Sequence, residues 1–81
     1  MVTYFVVLGF QQGKKGLLIP DEPREIHGGK ARCISAARRL AETRVGVVAF
    51  SRSGDPNLGD WGDAEVLYQD GLVPEEVFAM N

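Results

Sequence analysis

Two segments of the chain are apolar at almost every position. Residues 2–10 and 45–50 are rich in valine and aromatic residues. Successive side chains of a strand point to opposite faces, so a strand that is apolar at both odd and even positions is covered on both faces. The pattern therefore predicts two central strands, Val2 to Phe10 and Val45 to Phe50.

Shorter signals predict the outer strands of the same sheet. The polar segment 11–16 contains two glycines and predicts a hairpin loop. Residues 17–19 follow as a second strand, and Pro20 and Pro23 either make it an edge strand or end it. Residues 25–27 predict a short extended piece.

Residues 30–44 have the period of an amphipathic helix. At about 100° per residue, the apolar stripe consists of Cys33, Ile34, Ala37, Leu40 and Ala41. The opposite face is polar and carries Arg32, Ser35, Arg38, Arg39, Glu42 and Thr43. Arg38 and Glu42 are spaced for an ion pair along the helix, and Gly28 or Gly29 is a tolerable N-cap.

The last third of the chain alternates turn signals with one strand. Glycine, proline, asparagine and aspartate in residues 51–63 predict a long loop or a wide hairpin connection. Residues 64–69 predict a fourth strand. Pro74 followed by two glutamates predicts the first turn of a short C-terminal helix, with Val77 and Phe78 on it.

These elements predict a single α+β domain over residues 1–81. We expect a mainly antiparallel four-stranded sheet in the order β-β-α-β-β, with helix 30–44 on one face. One helix cannot cover both faces of two doubly apolar strands. The far face must therefore meet the C-terminal segment, a second copy of the chain or another partner.

Charge is divided sharply along the chain. Residues 1–52 carry nine basic and four acidic residues, a net charge of +5, whereas residues 53–81 carry seven acidic and no basic residues, a net charge of −7. The halves should attract each other, within one fold or between two copies. Within one fold, the acidic loop would neutralise Arg52 and Arg44.

Cysteine usage and hydropathy bear on location. Cys33 is the only cysteine, which fits a reducing compartment. No basic region precedes the first apolar run, and the longest such run, Tyr4 to Leu8, is too short to span a bilayer. We expect a cytoplasmic protein without a membrane segment.

Candidate chemistry is sparse. His27 is the only histidine, so a serine or cysteine nucleophile would need it as base, and Cys33 lies on the buried stripe of the helix. The loop that begins at Asp55 and Asn57 departs from a calcium-binding loop at three ligand or turn positions. The pair Gly28-Gly29 could hold an anion on backbone amides, although a flexible joint is the ordinary interpretation. No catalytic residue, metal or cofactor is predicted.

The function predicted best is a non-catalytic protein-interaction module that acts as a homodimer. The alternative is a nucleic-acid-associated protein that uses the basic helix face. A catalytic set around Arg52 and Asp55 is a third, weaker hypothesis. The interaction surface would draw on Arg32, Arg38, Arg39, Arg52, Asp55 and Trp61.

The segment Val47-Val48-Ala49-Phe50-Ser51-Arg52-Ser53-Gly54-Asp55-Pro56 carries a resemblance. With residues 4–7 before it and 71–74 after it, it resembles a group of short alphaproteobacterial proteins of unknown function. They share an apolar first strand, a Gly-Lys loop, an Ala/Arg-rich helix and a V-A-F-S-R-x-G-D stretch. The resemblance covers nearly the whole chain and implies no particular activity.

Overall fold

The computed structural model of the protein describes residues 1–75. These residues contain one α-helix, one short 3-10 turn and six strands. In chain order the elements are β1 (Val2–Gln12), the 3-10 turn (Lys14–Gly16), β2 (Leu18–Pro20), β3 (Arg24–Glu25), α1 (Lys30–Leu40), β4 (Gly46–Asp55), β5 (Asp60–Trp61) and β6 (Glu65–Gly71).

All six strands belong to one antiparallel sheet. Its centre is the pairing of β1 with β4, which runs from Val2 opposite Gly54 to Phe10 opposite Gly46. Both β2 and β3 pair with the outer side of β1, and both β5 and β6 pair with the outer side of β4. The predicted α+β class and the two central strands are thus confirmed. The sheet is four strands wide, and each outer column consists of two short segments, β2 and β3 beside β1, and β5 and β6 beside β4.

The pairing register shifts by one residue within each outer column. On the β1 side the shift lies between the pair Phe10 with Pro20 and the pair Val7 with Arg24. The backbone N–H of Asp21 donates to the carbonyl of Gly9, 2.8 Å away, and so joins the two segments. On the β4 side the register shifts between Ala49 and Phe50.

Two apolar clusters lie on opposite faces of the sheet. Beneath α1, the buried residues are Val7, Cys33, Ala37, Val47 and Ala49. On the far face they are Leu8, Phe10 and Val48, with Leu18, Phe50 and Val73 packed against them. The segment after β6 therefore covers one end of the far face, the end where Phe10 pairs with Gly46.

The helix begins as predicted and ends earlier than predicted. Gly29 is the N-cap with φ of 96°, a backbone conformation that favours glycine. The last helical residue is Leu40 rather than Arg44. The chain makes a tighter turn after Leu40, where the N–H of Thr43 donates to the carbonyl of Leu40 at 3.0 Å. Two residues later, the N–H of Val45 donates to the carbonyl of Phe10 in the sheet at 3.1 Å.

Of the two forms predicted for residues 51–63, a long loop is wrong and the structure has a hairpin connection. Strand β4 continues to Asp55, and Asp60 pairs back onto it. Within this part of β4, the hydroxyls of Ser53 and Thr3 lie 2.7 Å apart across the strands. Only residues 56–59 form the turn, where Gly59 has φ of 68°. The predicted C-terminal helix falls largely on residues 76–81, outside the described residues.

Cys33 should behave as an inert core residue. It is fully buried, its Sγ donates to the carbonyl of Val6 at 3.7 Å, and burial raises the pKa of its thiol. We expect Cys33→Ala to lower the free energy of unfolding by about 1 kcal/mol. A thiol reagent should react with Cys33 far more slowly in the folded protein than in the chain unfolded in guanidinium. Equal rates in the two states would contradict the burial.

Candidate interaction surface

An exposed patch occupies the end of the far face that Val73 does not cover. We call it the distal patch. Its residues come from the paired ends of β1 and β4 and from the adjoining outer strands, and they are Val2, Tyr4, Phe50, Arg52, Trp61 and Val66. Two of the predicted surface residues, Arg52 and Trp61, lie in it.

Apolar side chains of the distal patch reach solvent. The exposed fractions of Val2, Tyr4 and Val66 are 40%, 38% and 43%. The rings of Tyr4 and Trp61 have centroids 5.4 Å apart and are tilted by 38°, a separation at which aromatic rings attract. Such residues scattered singly are ordinary, but here three of them lie on one face of the sheet.

Gly54 makes room for the indole of Trp61. A Cβ on Gly54 would lie 2.6 Å from Cε3 of Trp61 and 2.8 Å from its Cα. Side chains larger than glycine would therefore push β5 away from β4. The missing side chain allows the indole to lie close over the strand beside Tyr4.

At the distal patch, Arg52 joins β4 to the residue that follows β5. Its register partner on β1 is Tyr4, and its Nε donates to the carbonyl of Gly62 at 2.9 Å. Among the described residues its two terminal guanidinium nitrogens have no hydrogen-bond partner. They can accordingly bind an acceptor from outside the chain.

Asp55, the third predicted residue of this region, holds the turn. Its Oδ1 accepts from the backbone N–H of Asn57 at 2.9 Å, and its carbonyl accepts from Gly59 at 2.9 Å. Asp55 pairs with Asp60 in the ladder. Its contacts are therefore those of a turn residue next to the distal patch.

The three predicted helix arginines do not form one patch. The guanidinium carbon of Arg38 lies 5.9 Å from the ring centroid of Tyr68, on the β6 side of the helix. Arg32 and Arg39 line a cleft on the β3 side. The expected pair between Arg38 and Glu42 is not formed, because Glu42 lies beyond the end of α1.

A polar cluster that the sequence interpretation missed joins the helix end to the sheet. Arg44 Nε donates to Asp21 Oδ2 at 2.6 Å, and Gln11 Nε2 donates to Asp21 Oδ1 at 2.9 Å. A Cβ on Gly9 would lie 2.7 Å from Asp21 Oδ2. The only sequence signal for this cluster was Gly9, a small residue within a strand of bulky ones.

This cluster borders an open cleft of about 460 Å³. It also tests the prediction that the acidic loop neutralises Arg44. The hydrogen bond from Gln11, and after it the one from Arg44, lower the pKa of Asp21. Arg44 is thus neutralised by Asp21 and not by the acidic loop, so that prediction is wrong. Proximity in the fold decided the pairing rather than the charge of each half.

No ion pair between side chains of residues 1–75 joins the basic part of the chain to the acidic part. The ion pair of Arg44 with Asp21 and the 3.6 Å contact between His27 Nδ1 and Glu25 Oε2 both lie within the basic part. Direct pairing of the two halves inside one fold is therefore not found in this region. Attraction between two copies stays a prediction.

Within the described part of the chain, no three His, Cys, Asp or Glu side chains are grouped closely enough to hold a metal ion. His27 is exposed, whereas Cys33 is buried beneath α1. None of the helices described is both long and apolar enough to cross a membrane.

Comparisons with protein-family models, with curated proteins and with solved structures find no match to this chain. The resemblance to short alphaproteobacterial proteins therefore stays a prediction.

The Asp21 cluster should make stability depend on pH. We expect Asp21→Asn to lower the free energy of unfolding at neutral pH by about 1 kcal/mol, the upper end for an ion pair that is only partly shielded from water. Because the folded pKa of Asp21 is lowered, its contribution is complete above the ordinary value of 3.8 and is lost as the pH falls through the folded pKa. Denaturant titrations across this range measure it.

Glu22→Gln is the matched control for this prediction. Glu22 is an exposed neighbour that lines the same cleft, and it has no ion-pair partner among residues 1–75. We expect its substitution to leave the pH profile unchanged. A difference between Asp21→Asn and the wild type that persists unchanged in strong acid would contradict the role of the charged carboxylate.

Proposed function

We propose that the protein is a non-catalytic interaction module in the cytoplasm that forms a homodimer through its distal patch. The observation that supports this best is the cluster of half-exposed apolar side chains at one end of the far face. Val2, Tyr4 and Val66 there are each about two-fifths exposed. The other end of the same face is already covered by Val73.

The edges of the sheet are poor sites for association, which favours a face. On one edge the prolines of the β2–β3 column remove donors that an added strand would need. The other edge carries only acidic charges, at Asp60, Asp63, Glu65 and Asp70. Two copies that met along this edge would repel each other. Contact through the far face avoids both obstacles.

The distal patch also has the charge pattern that a two-fold contact requires. In such a contact the same surface serves both copies, so it must be complementary to itself. Arg52 lies within the patch, and Asp60 and Asp63 flank Trp61 at its rim. The terminal nitrogens of Arg52 in one copy can thus reach acidic side chains of the other.

The molecule is flat enough for a contact of sufficient size. Its principal extents are 42 × 24 × 16 Å. A standard interface buries roughly 800 Å² per partner, about one-seventh of the 5655 Å² surface of this chain. Nucleic-acid binding, the alternative, has less support because Arg38 lies on the opposite flank of α1 from Arg32 and Arg39.

We expect dimerisation to be visible in the emission of Trp61, the only tryptophan. Its emission should shift to shorter wavelength as protein concentration rises, because the indole leaves water in the contact. Sedimentation equilibrium should report twice the mass of the 8.8 kDa chain. Val66→Lys should weaken the dimer at least about tenfold, since it places a charge in an apolar contact.

The matched control for Val66→Lys is Leu17→Lys. Leu17 is 68% exposed and follows the 3-10 turn after β1, away from the distal patch. We expect this variant to dimerise like the wild type. A mass that stays at one chain up to millimolar concentration, or equal weakening by both substitutions, would refute the proposed contact.

Arg52 should make the association sensitive to salt. We expect Arg52→Gln to weaken the dimer and to flatten its dependence on salt concentration, because charges near a surface are screened over about 8–10 Å at physiological ionic strength. Arg24→Gln removes the same charge from the opposite edge and serves as the control. If the salt dependence of Arg52→Gln equals that of the wild type, Arg52 makes no contact with the acidic rim.

A further inference from the structure

A second surface of the molecule, on the other side of the sheet from the distal patch, concentrates positive charge. An open cleft of about 300 Å³ lies between α1 and the segment that follows β3. Its lining combines two arginines, a histidine and a hydroxyl with an apolar floor, and consists of Ile26, His27, Arg32, Ser35, Ala36 and Arg39. We call it the basic cleft.

The cationic groups of the basic cleft are not used by the fold. Within residues 1–75, neither Arg32 nor Arg39 forms an ion pair or a side-chain hydrogen bond, in contrast to Arg44 and Arg52. Glu25 lies 3.6 Å from Nδ1 of His27. Glu25 thus lies beside His27 at the edge of the cleft, but no carboxylate of the described residues lines the cleft itself next to Arg32 and Arg39.

The start of α1 adds to this positive field. The first turn has no acidic residue, and the N-cap Gly29 makes no side-chain hydrogen bond. Helix starts are stabilised by acids and disfavour cations, yet Lys30 and Arg32 stand there. A sequence adjusted for stability alone would place the opposite charge at these positions.

We propose that the basic cleft binds a small phosphate monoester. Arg32 and Arg39 lie on one flank of the helix with Ser35 between them, so their guanidinium groups can converge on one phosphoryl group. Planar guanidinium groups form paired, charge-assisted hydrogen bonds with phosphate oxygens. Ser35 supplies a neutral donor, and His27, whose side chain is 85% exposed, borders the cleft on the side next to β3.

The floor of the cleft specifies the rest of the ligand. Ile26 and Ala36 are partly buried and pack against the core beneath α1. They offer apolar contact beside the charged groups. The ligand that fits is therefore a phosphate monoester with a compact apolar substituent, and the cleft volume is at the lower limit of small-molecule sites, about 300–1,000 Å³.

The test is a titration of the full chain with inorganic phosphate and with phenyl phosphate at constant ionic strength, followed by amide NMR. We expect saturable shifts at His27, Ser35 and Arg39. Phenyl phosphate should bind about fivefold more tightly, the factor for removing ~40 Å² of apolar surface from water. Arg32→Gln and Arg39→Gln should each weaken binding about tenfold or more.

Arg38→Gln is the control, because it removes the same charge from the same helix but from the flank next to Tyr68. We expect its phosphate affinity to match the wild type. Val66→Lys should also bind phosphate normally, which separates this proposal from the dimer. Thermal denaturation should show a phosphate-dependent rise in Tm that the double variant Arg32→Gln/Arg39→Gln lacks.

Three results would overturn the proposal. The first is a shift that does not saturate, or none at all. The second is equal weakening by Arg38→Gln, which would mean diffuse attraction to the whole helix face. The third is tight binding of single-stranded DNA, weakened alike by all three arginine substitutions, together with no saturable binding of phenyl phosphate. That result would favour the nucleic-acid alternative.

Discussion

The antiparallel pairing of β1 with β4 is the contact on which the other features of this protein depend. It joins nine residue pairs, from Val2 with Gly54 to Phe10 with Gly46. Because both strands are apolar on both faces, their pairing creates two surfaces that need cover. The chain has one helix among its described residues, so the two surfaces are covered differently.

The first face is covered by α1, and the orientation of this helix determines where the charged groups lie. The small residues Cys33 and Ala37 face the sheet beneath α1, and the arginines, on other sides of the same helix, lie on its two flanks. Cover of the second face is supplied by Leu18 and Val73 at one end only. The distal patch and the basic cleft thus follow from the same constraint, a sheet with two apolar faces and a single helix.

The candidate sites were only partly foreseeable. Arg52 and Trp61, two of the six residues predicted for an interaction surface, lie near each other on the far face, but their neighbours Tyr4 and Val66 were assigned to strands without a functional role. The Asp21 cluster was missed because Asp21, Gln11 and Arg44 are brought together by a register shift and by the early end of α1. Neither event leaves a periodic signal in the sequence.

Local pattern by itself determined the central strands, the helix, the edge position of Pro20 and the burial of Cys33. These depend on spacing of apolar residues and on backbone restrictions, which act over a few neighbouring positions. Only the tertiary structure decided which charges pair, where β4 ends and which flank each arginine occupies. Those outcomes depend on strand register and on contacts between residues far apart in the chain, where a shift of one position moves a side chain to the other face.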